Sequence, residues 1–309
     1  MTLREEGEVP DVRSLTPSAA ALLDDAIDVE DWSYIPPEVE RITYDAPSGQ
    51  IAGVAYGNPE HPRMLLVPGV TGSKEDFSVM SPLLARAGYR VESFDLAGQN
   101  HSAGAGPERL DPPRRHYDYE LFVGDLETIV GSGSAPVHLL GYSFGGSVVQ
   151  LFATRHPELV ASVTLMSVPP TPGQAFRTTK SALGPLSRVI NGSIGANLML
   201  WGIKQNFNHV TEARHRYVME RMPMTRRQSV VDIVTLMRRT PDLRQEMAAL
   251  DVPKLVAFGA HDLWPSALHR RYAEEIGAEA IEYRAGHSPC EETPHQLTRD
   301  MIRMISGAN

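Results

Sequence analysis

Gly141-Tyr142-Ser143-Phe144-Gly145 sets one serine between two glycines, the spacing of a tight turn that lifts a hydroxyl clear of a sheet and presents it as a nucleophile. Glycine is needed on both sides because a β-carbon there would collide with backbone. A serine hydroxyl attacks poorly until a base takes its proton, and that base needs a carboxylate to fix its tautomer. The chain has 11 histidines, so position has to choose among them. His287, in Ala285-Gly286-His287-Ser288-Pro289, and Asp262, in Gly259-Ala260-His261-Asp262, each follow directly on a short apolar run that reads as a strand. Loops beyond the carboxyl ends of strands are where α/β sheets hold their reactive groups. The chain order Ser143, Asp262, His287 is the one expected for this type of elbow. The chemistry implied is acyl transfer, with Ser143 as nucleophile, His287 as base and then acid, and Asp262 orienting His287.

Rival residues can be ranked. Asn191-Gly192-Ser193-Ile194-Gly195 nearly imitates the elbow, but it follows no strand. His261 adjoins Asp262 and is the nearest rival base, whereas His269 and His295 fall inside predicted helices and are expected to face solvent. Asp95 precedes the elbow in the chain and is expected to fix a loop. Hydrolysis through an acyl-enzyme also needs donors for the developing oxyanion, and backbone groups serve. Pro68-Gly69-Val70-Thr71-Gly72 follows another apolar run, so the N–H groups of Val70 and Phe144 are the candidate donors. Gly69, Tyr142 and Trp201 are the expected substrate contacts. None of these residues is assigned to a metal.

The elements that must position these residues follow from hydropathy. Residues 39–44 and 51–56 read as a hairpin about Pro47, Ser48 and Gly49. Continuous apolar runs at 64–67, 91–94, 137–140, 163–166 and 255–258 read as parallel strands buried on both faces, with a last strand at 280–283. Helical spacing at 77–87, 119–130 and 147–155 alternates with them, which implies βαβ units. Between residues 169 and 250 strands give way to helical segments near 176–190, 213–221 and 226–239. The organisation expected is an N-terminal arm over 1–38, an α/β body over 39–168 and 251–309, and a helical cap over 169–250.

Taken together, these motifs identify the chain as similar to the α/β-hydrolase fold with a cap. The resemblance runs from about Ile42 to the C-terminus and rests on the turn at Gly69, Asp95-Leu96-Ala97-Gly98, the elbow at Ser143, His156-Pro157-Glu158-Leu159-Val160, the Gly259 to Asp262 loop and Gly286-His287. It implies a mostly parallel eight-stranded sheet with helices on both faces, a cap between strands six and seven, and catalysis without a cofactor. Pro68 and Tyr142 stand where many relatives carry histidine. Dehalogenases and epoxide hydrolases of this fold use Asp as nucleophile, so Ser143 argues against both. The function expected is a serine hydrolase, a carboxylesterase acting on a small to medium ester. The alternatives are the same triad cleaving a carbon–carbon, amide or thioester bond, or a catalytically silent small-ligand binder.

Composition bounds the partners. Lys plus Arg is 29 against 38 Asp plus Glu, a net −9, which argues against nucleic acid because phosphate contacts need clustered cations. No apolar run approaches the roughly 20 residues of a membrane helix, so no stable membrane anchor is expected. One cysteine, Cys290, cannot close an internal disulfide, and the polar start lacks a signal-peptide pattern; a cytoplasmic protein is expected. The partner is a small-molecule substrate, with a homodimer left open. Residues 169–250 hold 12 cations and 5 anions, a net +7, which leaves −16 elsewhere. A basic cap docking on an acidic body is the plain reading; the sharper one has Arg177, Lys180, Lys204 or Arg214 steering an anionic group. Met199, Met219, Met222, Met224, Met237 and Met247, with Trp201 and Phe207, would suit an adaptable apolar wall.

Overall fold

The computed structural model describes residues 11–173, 175–178, 192–206 and 210–307. Its centre is an eight-stranded sheet in the order β1-β2-β4-β3-β5-β6-β7-β8. The strands are β1 Glu40–Ala46, β2 Gly49–Tyr56, β3 Arg63–Val67, β4 Arg90–Phe94, β5 Val137–Tyr142, β6 Val160–Met166, β7 Lys254–Gly259 and β8 Glu279–Tyr283. β1 runs antiparallel to β2 and β2 antiparallel to β4; all remaining pairs are parallel. Every residue of β3, β4 and β7 is buried, whereas the edge strand β1 alternates exposed and covered positions. This is the burial that distinguishes continuous apolar runs from half-exposed ones.

The period of two along the strands divides the core between the faces. From β3, Leu65 and Val67 join Leu139 and Phe258 against α3 (Tyr119–Gly131) and α4 (Phe144–Arg155). Met64 and Leu66 join Leu140 and Leu255 on the other face, against α2 (Met80–Arg86) and the C-terminal helix Pro294–Ser306. The N-terminal helix α1, Pro17–Asp25, is capped by Thr16 and packs on that last helix. Asp24 accepts hydrogen bonds from the His295 and Gln296 N–H groups at 2.8 and 3.1 Å, a carboxylate where helix N–H groups lack internal partners.

Between β6 and β7 lie α5 Gly192–Lys204, α6 Glu212–Arg221 and α7 Arg227–Met237, of which α5 and α7 share a small core of Ala196, Val230 and Val234. Ile233 and Met237 of α7 reach instead into the main core. The next helix, α8 (Arg244–Ala249), packs on α4 and on α9 (Ser266–Glu275). The short α10, Pro289–Glu292, precedes the final helix α11. All eight expected strands are present. The expected helix at 77–87 is split into a 3₁₀ turn, Lys74–Phe77, and α2. Most of the expected helix at 176–190, with Lys180 and Phe207, lies outside the described residues. No helix among the described residues is long and apolar enough to cross a membrane.

Candidate active site

The chain runs from β3 outward to β4 and then returns to place β5 on the other side of β3. Such a reversal opens a crevice at the carboxyl ends of the two strands, the usual ligand position in an α/β sheet. The turn after β3 and the elbow after β5 meet there: a β-carbon built on Gly69 would lie 3.1 Å from the Ser143 β-carbon.

Ser143 has φ +52° and ψ −117°, a conformation that side chains rarely adopt. Its N–H donates to the Met166 carbonyl at 2.8 Å, and α4 begins at the next residue. Gly145 lets that helix approach the sheet, since a β-carbon there would come within 2.4 Å of the Pro68 carbonyl oxygen.

His287 follows β8. Glu292 accepts the Gly286 N–H through both oxygens at 3.0 and 2.9 Å, and the Tyr142 hydroxyl is 2.8 Å from Ser288 Oγ. The Tyr142 ring also lies against His287, centroids 5.3 Å apart. Tyr142, expected to contact substrate, is therefore committed to holding the His287 loop; burial raises its hydroxyl well above the usual tyrosine range.

The geometry joins three of the expected residues. His287 Nε2 is 3.1 Å from Ser143 Oγ, and His287 Nδ1 is 2.6 Å from Asp262 Oδ1. Asp262 Oδ1 also accepts the Leu263 N–H at 2.5 Å. Burial alone would raise the Asp262 carboxyl, but the adjacent imidazoles of His287 and His269 outweigh it and hold the group well below the usual carboxylate range. Asp262 is thus an anion aimed at the nitrogen opposite the one facing Ser143. Among the described residues, neither the Val70 nor the Phe144 N–H has a protein acceptor, and Phe144 stands at a helix N-terminus where N–H groups point outward. The Val70 turn is set by its neighbour, whose Thr71 N–H donates to Gln99 Oε1 at 2.6 Å.

Two histidines expected in solvent are not there. His269 is fully buried, stacked on Phe258 with centroids 4.7 Å apart, and its Nε2 lies 3.2 Å from Asp262 Oδ2. The helical position was read correctly, but α9 turns that face onto β7. His295 is 9% exposed and pairs with Asp24 at 2.8 Å. His261 has an exposed side chain. Asp95 is fully buried and accepts from the Lys74 N–H, the Lys74 ammonium and the His101 N–H, the loop-fixing role expected of it.

Trp201, an expected substrate contact, is 53% exposed; its neighbour Leu200 lines a cavity of about 180 Å³ with Thr71, Val218, Arg221, Met222 and Val230. This cavity lies one residue from the Val70 donor. A larger open groove, about 660 Å³, runs between the N-terminal arm and α11 and is lined by none of the candidate site residues.

Arg214 and Arg221 on α6 form a buried cluster that the sequence did not reveal. Asp76 accepts from both guanidiniums at 2.7 Å. Arg214 also reaches Glu291 at 2.5 Å, and Arg221 donates to the Thr71 carbonyl at 3.1 Å and to Ser73. Burial would raise Asp76, yet the two guanidiniums hold it below the carboxylate range. Glu291 goes the other way, pushed up to about 7 by burial despite Arg214. Arg214 thus anchors the insertion and does not face a substrate anion; Lys204 is exposed.

The sequence profile of the alpha/beta hydrolase family matches residues 64–300. The chain belongs to the alpha/beta hydrolase family. Among curated proteins it is 26% identical over 252 residues to a pyrethroid hydrolase of Sphingobium wenxiniae, covering 76% of this chain and 84% of that protein. A second match, epoxide hydrolase B of Mycobacterium tuberculosis, is 30% identical over 123 residues but covers 39% of this chain and 33% of the relative. Among solved structures, bromoperoxidase from Bacillus anthracis superposes with a TM-score of 0.70 at 17% identity, over 86% of this chain and all of that one. The enol-lactonase from Burkholderia xenovorans gives 0.68 at 19% identity, over 86% of this chain and all of that one. These likenesses establish the hydrolase fold and class of this alpha/beta hydrolase.

Proposed function

We propose that this hydrolase is a serine carboxylesterase working through an acyl-enzyme. The observation that carries the reading is the hydrogen-bonded chain Ser143 Oγ to His287 Nε2 to Asp262 Oδ1, at 3.1 and 2.6 Å, beside two N–H groups without a protein acceptor. Ser143 Oγ attacks the ester carbonyl while its proton passes to His287 Nε2. The carbonyl oxygen becomes an oxyanion held by the Val70 and Phe144 N–H groups, the same arrangement that elsewhere contributes several kcal/mol to such steps. His287 then returns the proton to the leaving alcohol. Water, deprotonated by the same imidazole, releases the acid and restores Ser143. Asp262 stabilises the imidazolium in both halves.

The relative named an epoxide hydrolase supports hydrolytic chemistry, but with serine as the nucleophile the intermediate is an acyl ester. The helices α5 to α7 are read as a cap. Its cavity of about 180 Å³ suits an apolar group of about six to eight heavy atoms, since a 150 Å³ apolar cavity takes benzene. A panel of aryl ester, thioester and diketone substrates, run on wild type and Ser143→Ala, tests the proposal. Esters should be the best substrates and their turnover should vanish in the variant. Preference for a diketone or thioester would move the scissile bond within the same triad, and equal turnover by both proteins would point to a binding protein.

A further inference from the structure

Asp262 presents two oxygens to two histidines. Oδ1 is occupied by His287 Nδ1 and the Leu263 N–H. Oδ2 is buried and makes no aligned hydrogen bond, yet His269 Nε2 stands 3.2 Å from it. His269 is itself fully buried, and neither of its ring nitrogens has an aligned partner. Its ring lies nearly parallel to Phe258 at 13° and edge-on to Trp264, centroids 6.2 Å apart. Trp264 in turn sits 5.8 Å from His287 and donates its indole N–H to the Ala175 carbonyl. Among the described residues, these two buried polar groups face each other across 3.2 Å inside an aromatic wall, and a buried polar group is expected to find a hydrogen-bond partner. Catalytic hydrogen bonds are often slack at rest and tighten as charge develops.

We propose that His269 is a positioning residue for the serine hydrolase reaction, a role that rests on the Ser143 reading above. With its proton on Nε2, His269 donates to Asp262 Oδ2 and fixes the plane of the carboxylate, so that Oδ1 stays aimed at His287 Nδ1. Phe258 and Trp264 give the ring no acidic partner besides Asp262. Through this single N–H it orients the carboxylate that His287 needs when it becomes an imidazolium. Both histidines therefore read the same carboxylate, one from each oxygen, and only His287 meets the substrate.

Two variants separate hydrogen bonding from packing. His269→Phe keeps a ring stacked on Phe258 and removes the N–H; His269→Gln removes the ring and keeps an N–H donor of similar reach. Kinetics on a short aryl ester and the rate of phosphonate labelling at Ser143 are measured for both. Losing a donor to a buried carboxylate that acts in the transition state should lower kcat of His269→Phe about tenfold or more with KM within about twofold, and slow labelling in parallel. His269→Gln should recover most of that loss. In an Asp262→Asn background, whose residual activity no longer depends on the carboxylate, His269→Phe should cost nothing further; this arm holds even if the single variant is less stable. Wild-type kcat in His269→Phe, a loss in His269→Gln as deep as in His269→Phe, or an additional loss in the Asp262→Asn background would each overturn the role. Labelled wild type with an equally fast His269→Phe overturns only the role of His269. An unlabelled, folded wild type overturns the hydrolase reading and this role with it.

Discussion

Ser143 sits at φ +52° because β5, α4 and the Met166 carbonyl fix the chain on both sides, and non-glycine residues in such regions cost of order 1–3 kcal/mol. The strain holds the hydroxyl toward His287, so stability and activity should oppose each other at this position. Ser143→Gly is expected to raise the unfolding free energy by about 1 kcal/mol in thermal or denaturant melts while ester turnover falls about 10⁴-fold or more. Asp262 should behave in the opposite way. Its carboxyl is held below the usual range, so its contribution to stability is present above about pH 4, the unfolded value, and is lost as pH falls further. Asp262→Asn should flatten that acid-side loss in a pH series of melts and lower kcat by about 10³–10⁴ through the wrong imidazole tautomer. The positions of Ser143, Asp262 and His287 were legible because each follows an apolar strand and the sheet sends strand ends to one edge. The burial of His269 was not: a helical period places it on a face of α9 without saying that Phe258 and Asp262 lie beneath.

At the scale of elements, helix α6 ties the insertion to the loops that carry the site. Arg221 holds the Thr71 carbonyl, one residue from the Val70 donor, while Arg214 joins Asp76 to Glu291, four residues past His287. Removing one partner of a buried ion pair leaves an uncompensated charge, so Arg221→Met should destabilise the fold by about 3 kcal/mol and lower kcat more than a stability change alone would, measured well below the melting transition. The hairpin of β1 and β2 offers a separate test. Asp125 on α3 is buried and accepts from the Ser48 N–H and hydroxyl at 3.1 and 2.6 Å, yet burial pushes its carboxyl up to about 7. An acid whose folded value is raised favours the folded state only while protonated, so stability should fall as pH rises from about 4 to about 7 and level off beyond. Asp125→Asn should remove up to about 3 kcal/mol of the stability difference between denaturant melts at pH 5 and pH 8. The inner strands β3, β4 and β7 were readable from their apolar runs because both faces are covered. The Arg214 and Arg221 cluster was readable only as a charge contrast, because its partners lie 77 to 150 residues away in the chain. The helix that carries Trp201, Gly192–Lys204, was not legible as one, because the expected helical segments of the insertion lay on either side of it.

For the whole molecule, the net −9 divides into a basic insertion and an acidic body, joined among the described residues by the buried ion pairs of Arg214 and Arg221 with Asp76 and Glu291. Under the proposed function, the cavity between Thr71 and the insertion would bound the acyl group more than charge does. Met222→Trp should therefore depress turnover of aryl or hexanoyl esters by about tenfold while sparing acetyl esters, a hydrophobic pocket of this kind discriminating by roughly 1–3 kcal/mol per methylene-sized change. The most direct test of the central claim is covalent: incubate the purified chain with an active-site phosphonate and locate the adduct by peptide mass spectrometry. The account predicts one label per chain on Ser143, slowed strongly by His287→Ala and absent from Ser143→Ala. A folded chain that stays unlabelled, or that carries the label elsewhere, would contradict it.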